Sequence, residues 1–70
     1  METELQIIVN GQSRAARQGA TVLDLLRELG LESSRVAIER NLDILPRPNW
    51  PETRIAPGDR YEIVHFVGGG

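Results

Sequence analysis

Neither cysteine nor lysine occurs among the 70 residues. Without cysteine there are no disulfide staples, thiolate metal sites or cysteine nucleophiles. Without lysine, all eight basic residues are arginine, which stays protonated and is not an acylatable amine. A protein that carries an activated acyl group would gain from lacking both nucleophiles, although a genome biased towards arginine would give the same composition. Long apolar runs are missing too: nothing approaches the roughly 20 residues of a membrane span. The acidic start Met1-Glu2-Thr3-Glu4 has no signal-peptide pattern. A cytoplasmic protein with no membrane contact is the expectation. The net charge of −2 offers no basic stripe, so nucleic acid is not an expected partner. A chain this short builds one domain around a marginal core, with little room for a cleft of buried polar groups. A carrier or binding module fits better than an enzyme.

The chain does contain well-marked elements. Leu5, Ile7 and Val9 alternate with polar residues at the period of a half-buried strand, with Ile8 breaking the pattern. Asn10-Gly11 tolerates the positive φ of a type I′ turn, so a hairpin into a polar, edge-lying strand at Gln12–Arg17 is predicted. Thr21 is a good N-cap with Asp24 three residues on, the pattern of a capping box. Val22, Leu25, Leu26 and Leu29 form one helical stripe, and Gly30 sits where a left-handed cap is needed. Val36-Ala37-Ile38 reads as a short strand and Asn41 as a turn. Pro46, Pro48 and Pro51 argue against regular structure in their segment. Trp50 reads as the anchor that pins this segment to the core. Ala56-Pro57-Gly58-Asp59 is a turn, and residues 60–67 form the final strand. One helix lying across one face of a mixed sheet gives an α+β layer arrangement. The first and last strands, richest in β-branched residues, are expected to pair centrally and in parallel if a crossover joins them.

The side chains offer little chemistry. His65, the lone histidine, reads as a surface or rim residue, while Asp24 and Asp59 have sufficient roles as cap and turn. No His, Asp or Glu spacing resembles a metal-ligand set, so no metal is expected. Period-2 geometry places Val64 and Phe66 opposite Tyr61 and Ile63. If Tyr61 and Ile63 face the helix, Val64 and Phe66 form a partner-binding patch; the alternative is that Phe66 folds back over the core edge. Beyond Val67 come Gly68, Gly69 and Gly70. A frayed end or cloning remnant would account for them. The functional alternative is a thin, Cβ-free tail that enters a narrow channel in another protein. Its terminal carboxylate, adenylated by ATP there, could accept sulfur from a persulfide to become a thiocarboxylate.

Taken in order, these pieces resemble the ThiS family over residues 5–70. They are the hairpin, the Thr21-Val22-Leu23-Asp24-Leu25-Leu26 helix start, Val36-Ala37-Ile38, Pro46-Arg47 with Trp50, Pro57-Gly58-Asp59 and Val67-Gly68-Gly69-Gly70. The resemblance implies a single β-grasp, ubiquitin-like domain over 1–70 with a flexible tail at 68–70. It implies a thiocarboxylate at Gly70, with Val64, Phe66, Val67, Gly68 and Gly69 meeting the partners. Those partners would be a ubiquitin-activating-type (ThiF-like) adenylyltransferase using ATP, a cysteine desulfurase route as sulfur source, and a ThiG-like thiazole synthase. The carrier itself would bind no cofactor. Rival readings are a sulfur carrier for molybdopterin or tRNA thiolation, or a β-grasp interaction module with inert glycines. Two departures from the family pattern stand out: a third glycine before the usual pair, and Glu39 where a small polar residue such as Asn is common.

Overall fold

A computed structural model describes residues 3–66. Strand β1 (Glu4–Val9) turns at Asn10 (φ 50°) and Gly11 (φ 82°) into β2 (Gln12–Arg17), the left-handed pair that a type I′ hairpin needs. The two strands pair antiparallel from Glu4↔Arg17 to Val9↔Gln12. Helix α1 (Val22–Leu29) follows. The Thr21 hydroxyl accepts from the Asp24 N–H at 3.2 Å, and the Asp24 carboxylate accepts from the Thr21 N–H at 3.0 Å. Two otherwise orphaned donors are thus satisfied reciprocally. Gly30 ends the helix at φ 72°, its N–H bonding back into the last turn, which is the expected left-handed cap.

Two further strands and the last one complete the sheet. β3 (Val36–Arg40) forms a hairpin with the two-residue β4 (Asp43–Ile44), and β5 (Arg60–His65) inserts between β1 and β3. The order is β2-β1-β5-β3-β4. β5 runs parallel to β1 and antiparallel to β3. The polar β2 lies at an edge, and the first and last strands pair in the middle of the sheet and in parallel, the chain crossing over between them through α1 and the β3–β4 hairpin.

The core follows from alternation. Ile7 and Ala16 of the hairpin, Val36 and Ile38 of β3, and Tyr61 and Ile63 of β5 turn to one side and bury against Val22, Leu25 and Leu26 of the helix. Burying each such side chain stabilises by about 1.5–3 kcal/mol relative to leaving it exposed. Trp50 closes the cluster at 2 % exposure and donates its Nε1–H to the Leu45 carbonyl at 2.9 Å. The Arg47 guanidinium stacks 4.8 Å from its ring centre. It also donates to the carbonyls of Val36, at 3.2 Å, and Ser33. The proline-rich segment is therefore pinned, as Trp50 implied.

Two sequence expectations need correction. The proline segment is not wholly irregular: Arg47–Asn49 make a short 3₁₀ turn that Pro46 precedes. Proline is compatible there because the first-turn N–H groups have no internal partner to lose. The final strand stops at His65, with Phe66 still tied by its N–H to the Arg35 carbonyl at 2.8 Å. Val67 lies outside the described residues.

Candidate functional site

The last strand divides the expected site residues between two faces. Tyr61 and Ile63 are buried on the helix side. Val64 and Phe66 point away from it and are 58 % and 48 % exposed. Phe66 is not part of the core cluster, so it does not fold back over the core edge. Val64 pairs across the sheet with Ala37, an exposed small residue that leaves the valine uncovered. His65, on the helix side by alternation, is exposed at the rim of an open groove with Val9, Leu29, Leu31 and Ile63. Val67, Gly68, Gly69 and Gly70 lie outside the described residues. The strand aimed at them is held on both sides, by β1 and by β3.

Asp59 does more than shape its turn. It is 4 % exposed, and its carboxylate accepts from the Ala56 N–H (2.9 Å), the Tyr61 hydroxyl (2.8 Å), Arg40 Nε (3.1 Å) and Asn41 Nδ2 (3.1 Å). Burial alone would push its pKa up. The hydrogen bonds from Ala56, Tyr61, Asn41 and Arg40 together outweigh that and hold it below the usual carboxylate range. Burial, followed by the adjacent Asp59, pushes the Tyr61 hydroxyl up to about 12. Both shifts are those of a satisfied structural network, closed on all sides by protein groups. A second device was also not evident from sequence: Asn10 reaches past its turn to accept from the Ile63 N–H at 2.8 Å and donate to the Ile63 carbonyl at 3.3 Å. The two networks fix β5 at its start and its middle, and pairing with Val36 together with the bond from the Phe66 N–H to the Arg35 carbonyl holds its far end.

Among the described residues no three His, Asp or Glu side chains gather as a metal site, and no helix is long and apolar enough to cross a membrane. Among the described residues the one buried titratable cluster is that around Asp59, beneath the turn, while Glu39 and Glu62 lie exposed opposite each other on the face that carries Val64. What the described surface offers is therefore an apolar patch on a rigid strand.

The sequence matches the model of the ThiS family over residues 7–70. It is 44 % identical over 50 residues to the sulfur carrier protein ThiS of Bacillus subtilis, covering 71 % of this chain and 76 % of that one. It is 42 % identical over 66 residues to a thiazole synthase of Paramagnetospirillum magneticum, covering 94 % of this chain but only 20 % of that protein. The chain thus spans about a fifth of the length of the thiazole synthases it matches. Among solved structures, the thiamine biosynthesis protein ThiS of Geobacter metallireducens superimposes with a TM-score of 0.75 at 31 % identity, covering 94 % of this chain and all 100 % of that one. A designed protein based on human ubiquitin shares the fold alone, at a TM-score of 0.55 and 18 % identity. With a five-stranded mixed sheet grasping one helix, and a family match running almost end to end, this chain is a β-grasp protein that belongs to the ThiS family.

Proposed function

We propose that the chain is a sulfur carrier for thiamine thiazole synthesis that works through the carboxylate of Gly70. A carboxylate is a poor electrophile, so one of its oxygens first attacks the α-phosphorus of ATP in a ThiF-like adenylyltransferase, expelling pyrophosphate. A persulfide sulfur, supplied through a cysteine desulfurase route, then attacks the acyl carbon and expels AMP. Reduction of the resulting S–S bond by a second thiol leaves the thiocarboxylate. A ThiG-like thiazole synthase receives this sulfur. ATP belongs to the partner enzyme, and the carrier holds no cofactor. The ATP requirement fits a cytoplasmic setting.

The observation that carries this reading is the arrangement of the last strand. It is paired on both sides and exposes Val64 and Phe66, which precede the tail in sequence, with no histidine and no metal-ligating cluster on that face among the described residues. Membership of the ThiS family supports the carrier role. Similarity to a segment of proteins named thiazole synthase favours the thiazole branch over molybdopterin or tRNA thiolation. Intact-protein mass after incubation with the adenylyltransferase, ATP and a persulfide donor tests it. The gain expected is one oxygen replaced by one sulfur at the C-terminus; an unchanged mass would leave an interaction module with inert glycines.

Two variants probe the parts separately. Gly69→Val should leave the denaturant midpoint within the range of about ±0.5 kcal/mol typical of surface changes. It should nevertheless block loading, because the added side chain would obstruct a narrow channel. Phe66→Asp should weaken binding to the adenylyltransferase by about thirtyfold, the loss of a well-packed apolar anchor. Since Phe66 stands outside the core, its melting temperature should barely move. A collapsed melting temperature would return Phe66 to a structural role.

A further inference from the structure

The described pairing of β5 thins towards its end. β1 pairs with it only at Ile8↔Arg60 and Val9↔Tyr61, and Asn10 adds a hold on Ile63. Beyond Ile63 the described partners of β5 lie on one side alone. They are Ala37 opposite Val64, Val36 opposite His65, and the Arg35 carbonyl, which accepts from the Phe66 N–H at 2.8 Å. The Arg35–Phe66 bond is the last described fastening before Val67 and the glycines. Its acceptor belongs to Ser33–Arg35, a 3₁₀ turn of three residues with no side-chain cap and no buried residue. The hydrogen-bond geometry of such a turn is poor, and this one has little packing to compensate. Its position has to be fixed from outside.

Arg47 supplies that restraint. Its guanidinium donates to the Ser33 carbonyl and, at 3.2 Å, to the Val36 carbonyl, so one planar fork spans the turn from its first residue to its cap. The fork is itself immobilised. It lies 4.8 Å from the centre of the Trp50 ring, and Trp50 is buried and tied to the Leu45 carbonyl. The Trp50 N–H donates to the Arg47 carbonyl at 3.0 Å, and the Asn49 N–H to the Pro46 carbonyl at 2.9 Å. Pro46 and Pro48 stiffen the backbone on either side. Among the described residues Arg47 joins no ion pair. Its charged donors go to main-chain carbonyls, where they hold backbone shape.

We propose that Arg47 is a positioning residue for sulfur loading. It immobilises the Ser33–Val36 segment, the Arg35 carbonyl holds the Phe66 N–H, and the root of the tail is thereby fixed. The proposal rests on the sulfur-carrier reading above. Gly70 lies four residues beyond Phe66. An extended tail in a narrow channel can only slide, so a shift of its root along the channel moves the carboxylate by the same distance. Misplacement of about 1 Å at a reacting atom costs on the order of a hundredfold in rate. A looser root therefore lowers the rate of the chemical step in the docked complex. Docking itself need not weaken, because Arg47 would touch neither ATP nor the carboxylate.

Arg47→Met keeps a stem over Trp50 without donors, and Arg47→Lys keeps the charge without the planar fork. Both are made in the full chain. Thiocarboxylate formation with the adenylyltransferase, ATP and a persulfide donor gives kcat and KM for the carrier, well below each melting temperature. Amide hydrogen exchange is followed at Phe66 and Ile63. Arg47→Met should lower kcat about tenfold and leave KM within about twofold. Arg47→Lys should lower kcat about threefold, because an ammonium cannot reproduce both arms of the fork. Exchange at Phe66 should quicken by about tenfold in Arg47→Met. Ile63, held by Asn10 from the other side, should exchange as in the parent. Parental kcat in folded Arg47→Met, or exchange quickened equally at both amides, makes Arg47 a stabiliser of the fold only and overturns the proposal. A raised KM with parental kcat makes it a contact of the enzyme and overturns it equally. If Arg47→Met does not fold, parental kcat with parental Phe66 exchange in Arg47→Lys is the overturning result. A parent chain that gains no sulfur sinks the carrier reading and the loading role with it, while Phe66 exchange still reports whether the clamp exists.

Discussion

Replacing Asp59 with alanine should destabilise the domain by about 3 kcal/mol, the scale for removing one partner of a buried, hydrogen-bonded charge pair. The Tyr61 hydroxyl, fully buried and 2.8 Å from the carboxylate, would lose its acceptor. Arg40, with 30 % of its side chain exposed, would lose its counter-ion, and the Ala56 N–H would lose its turn partner. A domain of this size has a total stability of only about 3.5–10 kcal/mol at typical per-residue values, so the variant should be partly unfolded at moderate temperature. Denaturant titration gives the number directly; a loss under about 1 kcal/mol would show that water or a shifted Arg40 replaces the carboxylate.

The same network sets the pH range of stability. Asp59 has a folded pKa below its unfolded value of 3.8, so its contribution is fully present above that value and is lost as pH falls through the folded pKa. Tyr61 has a folded pKa raised from 10.0 to about 12, so its contribution is present below the unfolded value and fades as pH climbs between the two. Asp59→Asn should accordingly flatten the acid limb of the stability profile.

Much of this fold was legible because local signals agreed with the global arrangement. Thr21, Asp24 and Gly30 bracket a stripe of Val22, Leu25 and Leu26 that must be covered, and Asn10-Gly11 forces a tight hairpin. Alternation also separated Tyr61 and Ile63 from Val64 and Phe66 without any knowledge of contacts. The Asp59 network was harder to see because its partners are distant in sequence: Asn41 and Arg40 lie 18 and 19 positions away. A turn is a sufficient local reason for Pro57-Gly58-Asp59, so nothing local asks for more. One signal was available, since a lone tyrosine in a core strand needs a partner for its hydroxyl. The exposed Leu42 and the Glu39–Glu62 pair were invisible for a related reason. Leu42 sits at the turn into a two-residue β4 too short to announce itself, and the Glu39–Glu62 pair depends on the register of β3 against β5, strands far apart in sequence.

Moving the terminal carboxylate by one residue should abolish sulfur loading while the fold persists. Removing Gly70 withdraws the carboxylate by up to about 3.4 Å, and adding a residue after it pushes the carboxylate forward by as much. Misplacement of a reacting atom by about 1 Å already costs on the order of a hundredfold in rate, so both variants should lose at least that much thiocarboxylate formation. Their melting temperatures should match the parent, because β5 is held upstream by Asn10, Asp59 and its two neighbouring strands. Gly70→Ala separates two meanings of that loss: it keeps the reach from Phe66 and changes only the end group. Full loading of Gly70→Ala, with the shortened and extended chains inactive, makes the tail a ruler measured from the docked face. Loading lost in all three variants makes the unhindered glycine end group itself a requirement. Efficient loading of an extended protein whose mass shows no trimming would mean that Gly70 is not where the sulfur is carried.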